Sequence, residues 1–222
     1  MSALVPALLK VTLTSQLAAS GWPHNRMQMK PDTSPEAITK MISALRGLAA
    51  LDGILGLYAG EAVNNGNGSW THALYGRYTT KEALQSYADS KEHMDVVINL
   101  VRPICSDTLA LDFEAQADVQ SDANAIGAVC LVALKPKDES NESDLVTALT
   151  GENNGVGAVD ITLGKGYAPA RAKGFTWGRV STHVDKESML ASAKDFVDLC
   201  KGLVESYLVV AIDCSVPPTS KI

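Results

Sequence analysis

THALYGRYTTKEALQSYADSKEHMDVVINLVRPICSDTLALDFE, residues 71–114, reads as strand, helix, strand. Over 71–78 the chain alternates, with His72, Leu74, Gly76 and Tyr78 on one face and Ala73, Tyr75 and Arg77 on the other. From Lys81 the period changes, and Leu84, Tyr87, Met94, Val97 and Val101 fall near one side of a helix that runs toward Pro103. Residues 108–114 alternate again, Leu109, Leu111 and Phe113 against Ala110 and Asp112.

Upstream, residues 7–13 predict a first strand, with Leu9, Val11 and Leu13 opposite Leu8, Lys10 and Thr12. Residues 14–32 show no period and are expected to be a long surface insertion, the natural place for a protein partner to dock. Ser34-Pro35-Glu36 opens a helix with a capping hydroxyl, a Pro in the first turn and a carboxylate at the positive end of the dipole. Ile38, Met41, Ile42, Leu45 and Leu48 form its apolar stripe. A short strand over 54–59 and a turn-rich hairpin loop over 60–69 complete a β-α-β-β-α-β order, the ferredoxin-like plan.

After a polar, acidic linker at 116–124 the plan restarts. Strands are expected at 128–135, 158–164, 175–182 and 207–214, with helices at 144–149 and 186–204. The two halves match at a nearly constant offset. Gly60 and Gly164 are 104 residues apart, Lys81-Glu82 and Lys186-Glu187 are 105 apart, and Asp112 and Asp213 are 101 apart. The expected fold class is α+β: two ferredoxin-like modules in tandem, over 1–116 (with the 14–32 insertion) and 125–222. A four-stranded sheet with helices on one face needs cover on the other. The two modules therefore close on each other as an intramolecular dimeric α/β-barrel, a pseudo-dimer within one chain.

Composition excludes several classes. A net charge of −6, a pI near 5.2 and the lack of any basic cluster argue against nucleic-acid binding. No run approaches the roughly 18 apolar residues of a membrane span, and the N-terminal stretch lacks a basic leader region, so a cytoplasmic protein is expected. Cys105, Cys130, Cys200 and Cys214 are scattered, with no C-x-x-C, and are expected to be reduced and mostly buried. His72, His93 and His183 have no metal-ligand spacing, and the glycine-rich stretches 151–157 and 164–174 lack the G-K-[ST] of a phosphate loop. No cofactor and no metal are expected.

Residues 34–62, SPEAITKMISALRGLAALDGILGLYAGEA, taken together with 69–114, resemble the stress-responsive dimeric α/β-barrel (Dabb) family. The ALRGL helix end, the THAL strand, KEAL-x-x-Y, the E-H then V-R-P helix and the D-x-LALDFE strand are the matching motifs. They cover most of 7–114, and the match over 127–214 is fainter. The resemblance implies a small stress protein, and one branch of the family closes linear polyketides by intramolecular aldol condensation without a cofactor. In that branch a Tyr and a His six residues apart line a cavity, which makes Tyr87 and His93 the candidate catalytic pair. A neutral imidazole can take a proton alpha to a carbonyl, and a phenol can stabilise the enolate.

This chain departs from the branch at three places. The usual H-P-x-H is Ser90-Lys91-Glu92-His93 here, the first strand offers Lys10 rather than a His, and Ser192 stands opposite Tyr87 in the second half. Six residues of unbroken helix turn by roughly 600°, leaving two side chains about 120° apart. Tyr87 and His93 therefore meet only if the helix breaks near Ser90. His72 and Leu74 on one strand face, and Tyr75 and Arg77 on the other, are the candidate pocket residues. Three readings follow. The first is a stress-response barrel that binds a small apolar ligand or a protein partner without dedicated catalysis. The second is a cofactor-independent cyclase or lyase, and the third a structural subunit docking through 14–32.

Overall fold

The computed structural model describes residues 8–15, 29–30, 32–64, 70–115, 126–138, 142–150, 157–167, 170–200 and 202–214. The alternating segments fold as strands: β1 (Leu8–Ser15), β2 (Ile54–Asn64), β3 (Trp70–Tyr78) and β4 (Leu109–Glu114), then β5 (Ala128–Pro136), β6 (Ala158–Lys165), β7 (Trp177–His183) and β8 (Val204–Asp213). Between them lie α1 (Pro35–Gly47), α2 (Lys81–Asp89), α3 (Lys91–Val96), α4 (Glu142–Thr150) and α5 (Lys186–Cys200). The Ser34 hydroxyl starts α1 by accepting the Ala37 N–H at 3.2 Å, and Pro35 follows where its missing N–H costs nothing.

All eight strands belong to one antiparallel sheet, ordered β4-β1-β3-β2-β8-β5-β7-β6. Each half thus has the fourth-first-third-second order of a ferredoxin-like unit. The halves join where β2 passes from β3 onto β8, with Ala62, Val63 and Asn64 opposite Ile212, Ala211 and Val210. This is why β2 runs through Asn64 when a hairpin loop was expected from residue 60: its last residues find ladder partners in the other half. At the opposite seam β4 returns to the β6 edge through a bridge between Phe113 and Gly166. There the Tyr167 N–H donates to the Asp112 carbonyl at 2.9 Å.

That second seam depends on glycine. A Cβ on Gly164 would lie 2.1 Å from the Glu114 carbonyl oxygen, and one on Gly178 would lie 2.4 Å from the Phe113 ring. The glycine one repeat earlier, Gly60, marks the first seam, where a Cβ would meet Ile212 at 3.1 Å.

The apolar side chains fall into three clusters. The barrel interior is shared, taking Tyr75, Leu111 and Phe113 from the first half and Val129, Leu131, Val180 and Val210 from the second. Outside it, α1 to α3 cover the first half through Met41, Leu45, Leu74, Tyr78, Leu84 and Tyr87. In the second half α4 and α5 do the same through Leu145, Leu149, Met189 and Phe196, over Cys130, Val132 and Leu134. Cys105 and Cys130 are buried free thiols, and burial pushes both up to about 11.

Two further expectations are corrected. The stretch 14–32 is not wholly a surface insertion. Thr14 and Ser15 end β1, while Met29 is 3% exposed and bridges to Cys105, with Lys30 N–H donating to Ile104 O at 2.9 Å. Residues 16–28, on which most of the expected docking role falls, lie outside the described residues, as does the linker at 116–124. The helix expected from Lys81 to Val101 is broken in two and ends in a π-helical turn.

Gly164→Ala forces a methyl into backbone that cannot swing aside, so it should cost about 2–3 kcal/mol, a fall in Tm of about 5–10 °C. Gly47→Ala sits on helical backbone with nothing within 4 Å of its Cβ, and should leave Tm unchanged or slightly raised. Thermal unfolding followed by circular dichroism compares the two, and an equal effect at both sites would refute the seam argument.

Candidate functional site

The break in the second helical segment is built by one residue. Thr80 caps α2, accepting the Ala83 N–H at 3.1 Å. Ser90 then takes an extended conformation, φ −61° and ψ 145°, which no helix interior allows. Its N–H and hydroxyl both donate to the Tyr87 carbonyl, at 3.2 and 2.8 Å, ending α2. The same hydroxyl accepts the His93 N–H at 3.2 Å and so starts α3. One serine is C-cap and N-cap at once. The chain turns there, and the Tyr87 and His93 rings meet with centroids 4.5 Å apart and planes tilted by 46°.

His93 is half-buried, and its Nδ1 lies 2.9 Å from the Ala88 carbonyl. A carbonyl only accepts, so Nδ1 carries a proton, and the neutral form of the ring has its lone pair on Nε2. Tyr87 is 1% exposed and packs on Tyr78 at 5.2 Å as well as on His93. Burial pushes its phenol up to about 12, so it stays protonated at neutral pH.

A cavity of about 180 Å³ lies between these helices and the sheet. Met41, Ile42 and Leu45 of α1 form one wall. Val97 and Val101 form another, from the π-helical turn Val97–Val101, whose wider loop is closed by the Arg102 N–H to the Val97 carbonyl at 2.9 Å. The floor is His72, Ala73 and Leu74 of β3 with Thr108 and Ala110 at β4, and His93 and Arg171 complete the lining. The His72 imidazole, 3.0 Å from the Thr71 hydroxyl, is held below its ordinary pKa by burial, with Glu61 opposing.

The sequence candidates separate accordingly. His72, Leu74 and His93 share the cavity. Tyr75 and Arg77 lie on the opposite face of β3, where Tyr75 stacks on Tyr58 at 5.7 Å inside the barrel, so they do not join this pocket. Tyr87 stands outside the cavity wall and supports His93 by ring contact. Sequence reasoning missed Arg171, which comes from the second half. It sat in a stretch, 164–174, read only for its glycines. Among the described residues no group of three His, Cys, Asp or Glu side chains is placed to hold a metal ion, and no helix is long and apolar enough to cross a membrane.

Similarity to known proteins runs through the same elements. The family model described as Stress responsive A/B Barrel Domain matches residues 25–115. A stress-response A/B barrel domain-containing protein of Arabidopsis thaliana is 32% identical over 202 residues, covering 86% of this chain and 77% of its own. A second protein of that description from the same plant is 26% identical over 196 residues, covering 85% and 92%. Among solved structures, a candidate monooxygenase from Fusobacterium nucleatum superposes with a TM-score of 0.59 at 15% identity, over 96% of this chain and 93% of that one. That likeness is one of fold.

Ser90→Ala removes the cap of α3 and should cost about 1 kcal/mol. The His93 ring resonances should shift as its contact with Tyr87 loosens, and a variant with unmoved resonances would show that Ser90 does not hold the pair together. Burial also depresses the pKa of His183, as it does that of His72. Unfolded histidine takes a proton near 6.5. Stability is therefore full above that pH and is lost as pH falls below it toward the folded-state values. Tm measured from pH 8 to pH 5 should fall on the acid side, with a shallower slope in His72→Gln.

Proposed function

The chain belongs to the stress-responsive A/B barrel domain family, and from that premise we propose that its first-half cavity binds a compact, largely apolar ligand bearing a hydrogen-bonding oxygen. The observation that supports this reading is the cavity itself: an apolar lining on three sides with two imidazoles, His72 and His93, at its wall. Cavities of about 150 Å³ lined by aliphatic side chains accept a benzene ring, so a ligand portion of one ring matches the volume here. Imidazoles in such a lining supply the few polar contacts that orient a ligand.

A second reading, cofactor-independent proton transfer, is favoured by the bond between His93 Nδ1 and Ala88. It leaves Nε2 as the basic atom of an imidazole that lines the cavity. Nε2 would accept a proton from carbon alpha to a ligand carbonyl, leaving an enolate and an imidazolium. Closure of the enolate onto a second carbonyl would form the carbon–carbon bond, and the alkoxide would recover the proton from the imidazolium. Tyr87, neutral and outside the wall, would position the ring and take no proton.

Phenol and acetophenone test both readings. At a hundredfold excess over Kd a ligand stabilises by about 2.7 kcal/mol, so Tm should rise by several degrees in the wild type and not in Leu45→Trp, which fills the cavity. Exchange of the acetophenone methyl protons in deuterated water should be accelerated by the wild type and not by His93→Ala if proton transfer is right. Binding without exchange leaves the ligand reading alone, and a rise retained in Leu45→Trp removes both.

A further inference from the structure

Resting on the cavity reading above, we propose that the ligand is an acid, and that Arg171, supplied by the second half of the chain, is the residue that selects its anionic group. The ionisable side chains lining the cavity are His72, His93 and Arg171. All three are bases, and no carboxylate is among the described residues of the lining. The nearest acids, Glu61 acting on His72 and Asp112 bonded to Arg171, stand behind the lining and not on it. A cavity whose lining ionisable groups are all bases favours a carboxylate, phenolate or enolate over a neutral or cationic group.

Arg171 is also held ready for this. Its own carbonyl accepts the Ala110 N–H at 3.1 Å, the next residue, Ala172, is fully buried in the barrel interior, and Lys173 is ion-paired with Asp107. Three consecutive residues are thus pinned to the first half, and the backbone that carries the guanidinium cannot drift. The guanidinium gives one N–H to Asp112 Oδ2 at 3.1 Å and has its side chain 56% exposed. A guanidinium has five N–H donors, so a planar carboxylate can be received beside Asp112 without breaking that bond, which in turn fixes the orientation of the fork. Selection therefore arises from a residue that the second half contributes to a site on the first.

Benzoate and benzamide are a matched pair of nearly equal shape, one anionic and one neutral. Titration calorimetry on the full chain should give benzoate an advantage of about tenfold or more, the size of one charge-assisted hydrogen bond. In Arg171→Gln the ratio should fall to within about twofold while benzamide affinity is unchanged, and Arg171→Lys should keep part of the preference. A purely structural role for the Arg171–Asp112 pair would lower Tm without moving the ratio, and that result overturns the proposal. Equal binding of the two probes by the wild type also overturns it while leaving the cavity reading intact. If neither probe binds, the cavity reading fails and the selection fails with it.

Discussion

Phe113 lies across two glycines of the other half, and the barrel depends on that contact. Its ring would sit 2.8 Å from a Cβ on Gly164 and 2.4 Å from one on Gly178, so only bare backbone lets β4 come close enough to bridge at Gly166. Sheets that end in unpaired edges invite association with other chains. Here β2 is covered by β8 and β4 comes back to β6, so each half protects an edge of the other. The interior cluster follows from the closure. Phe113, Tyr75 and Leu111 pack with Val129, Val180 and Val210, and neither set would be out of water without its counterpart.

The barrel is nearly symmetric and the site is not. Each half has the same strand order, yet the helix after the third strand is broken at Ser90 in the first half and runs unbroken from Lys186 to Cys200 in the second. At the matching offset of 105 residues, Arg179 replaces Leu74, His183 replaces Tyr78 and Ser192 replaces Tyr87. The Arg179 guanidinium is fully buried over the Phe196 ring, 4.5 Å from its centroid, and bonds to the Ser181 hydroxyl at 3.2 Å. Leu74 of the cavity lining and the two tyrosines packed in the apolar layer of the first half give way to a polar cluster in the helix–sheet layer of the other.

Much of this was legible in the residues, for identifiable reasons. Strand alternation at 71–78 and 108–114 and the helical stripe from Ile38 to Leu48 are local signals, and they placed β3, β4 and α1 within a residue or two. The repeated glycines at 60 and 164 were visible as a pattern, but their use at the two seams is a tertiary fact. The extension of β2 to Asn64 was hidden because its partner, β8, lies about 150 residues away and no local period encodes it. The question of whether Tyr87 meets His93 reduced to one serine. A Ser followed by Lys-Glu in mid-helix is an N-cap signal, and the structure uses it as one. Membership of the cavity was less legible. Alternation correctly put Tyr75 and Arg77 on the face away from His72, but only packing shows which face borders the helices.

The closing seam also connects stability to recognition. The segment between β6 and β7 presses Ala172 into the shared core. On one side of it Lys173 pairs with Asp107, and on the other Arg171 reaches the cavity beside Asp112. Asp112 is buried on β4 beside Phe113, the residue that closes the barrel. The Asp112 carboxylate accepts from Arg171 at 3.1 Å, so the strand that closes the barrel also orients the guanidinium beside the cavity. The interaction that closes the barrel therefore also presents a cation at the cavity. A module standing alone would have the His93 wall without that charge, and joining two modules in one chain is what adds it.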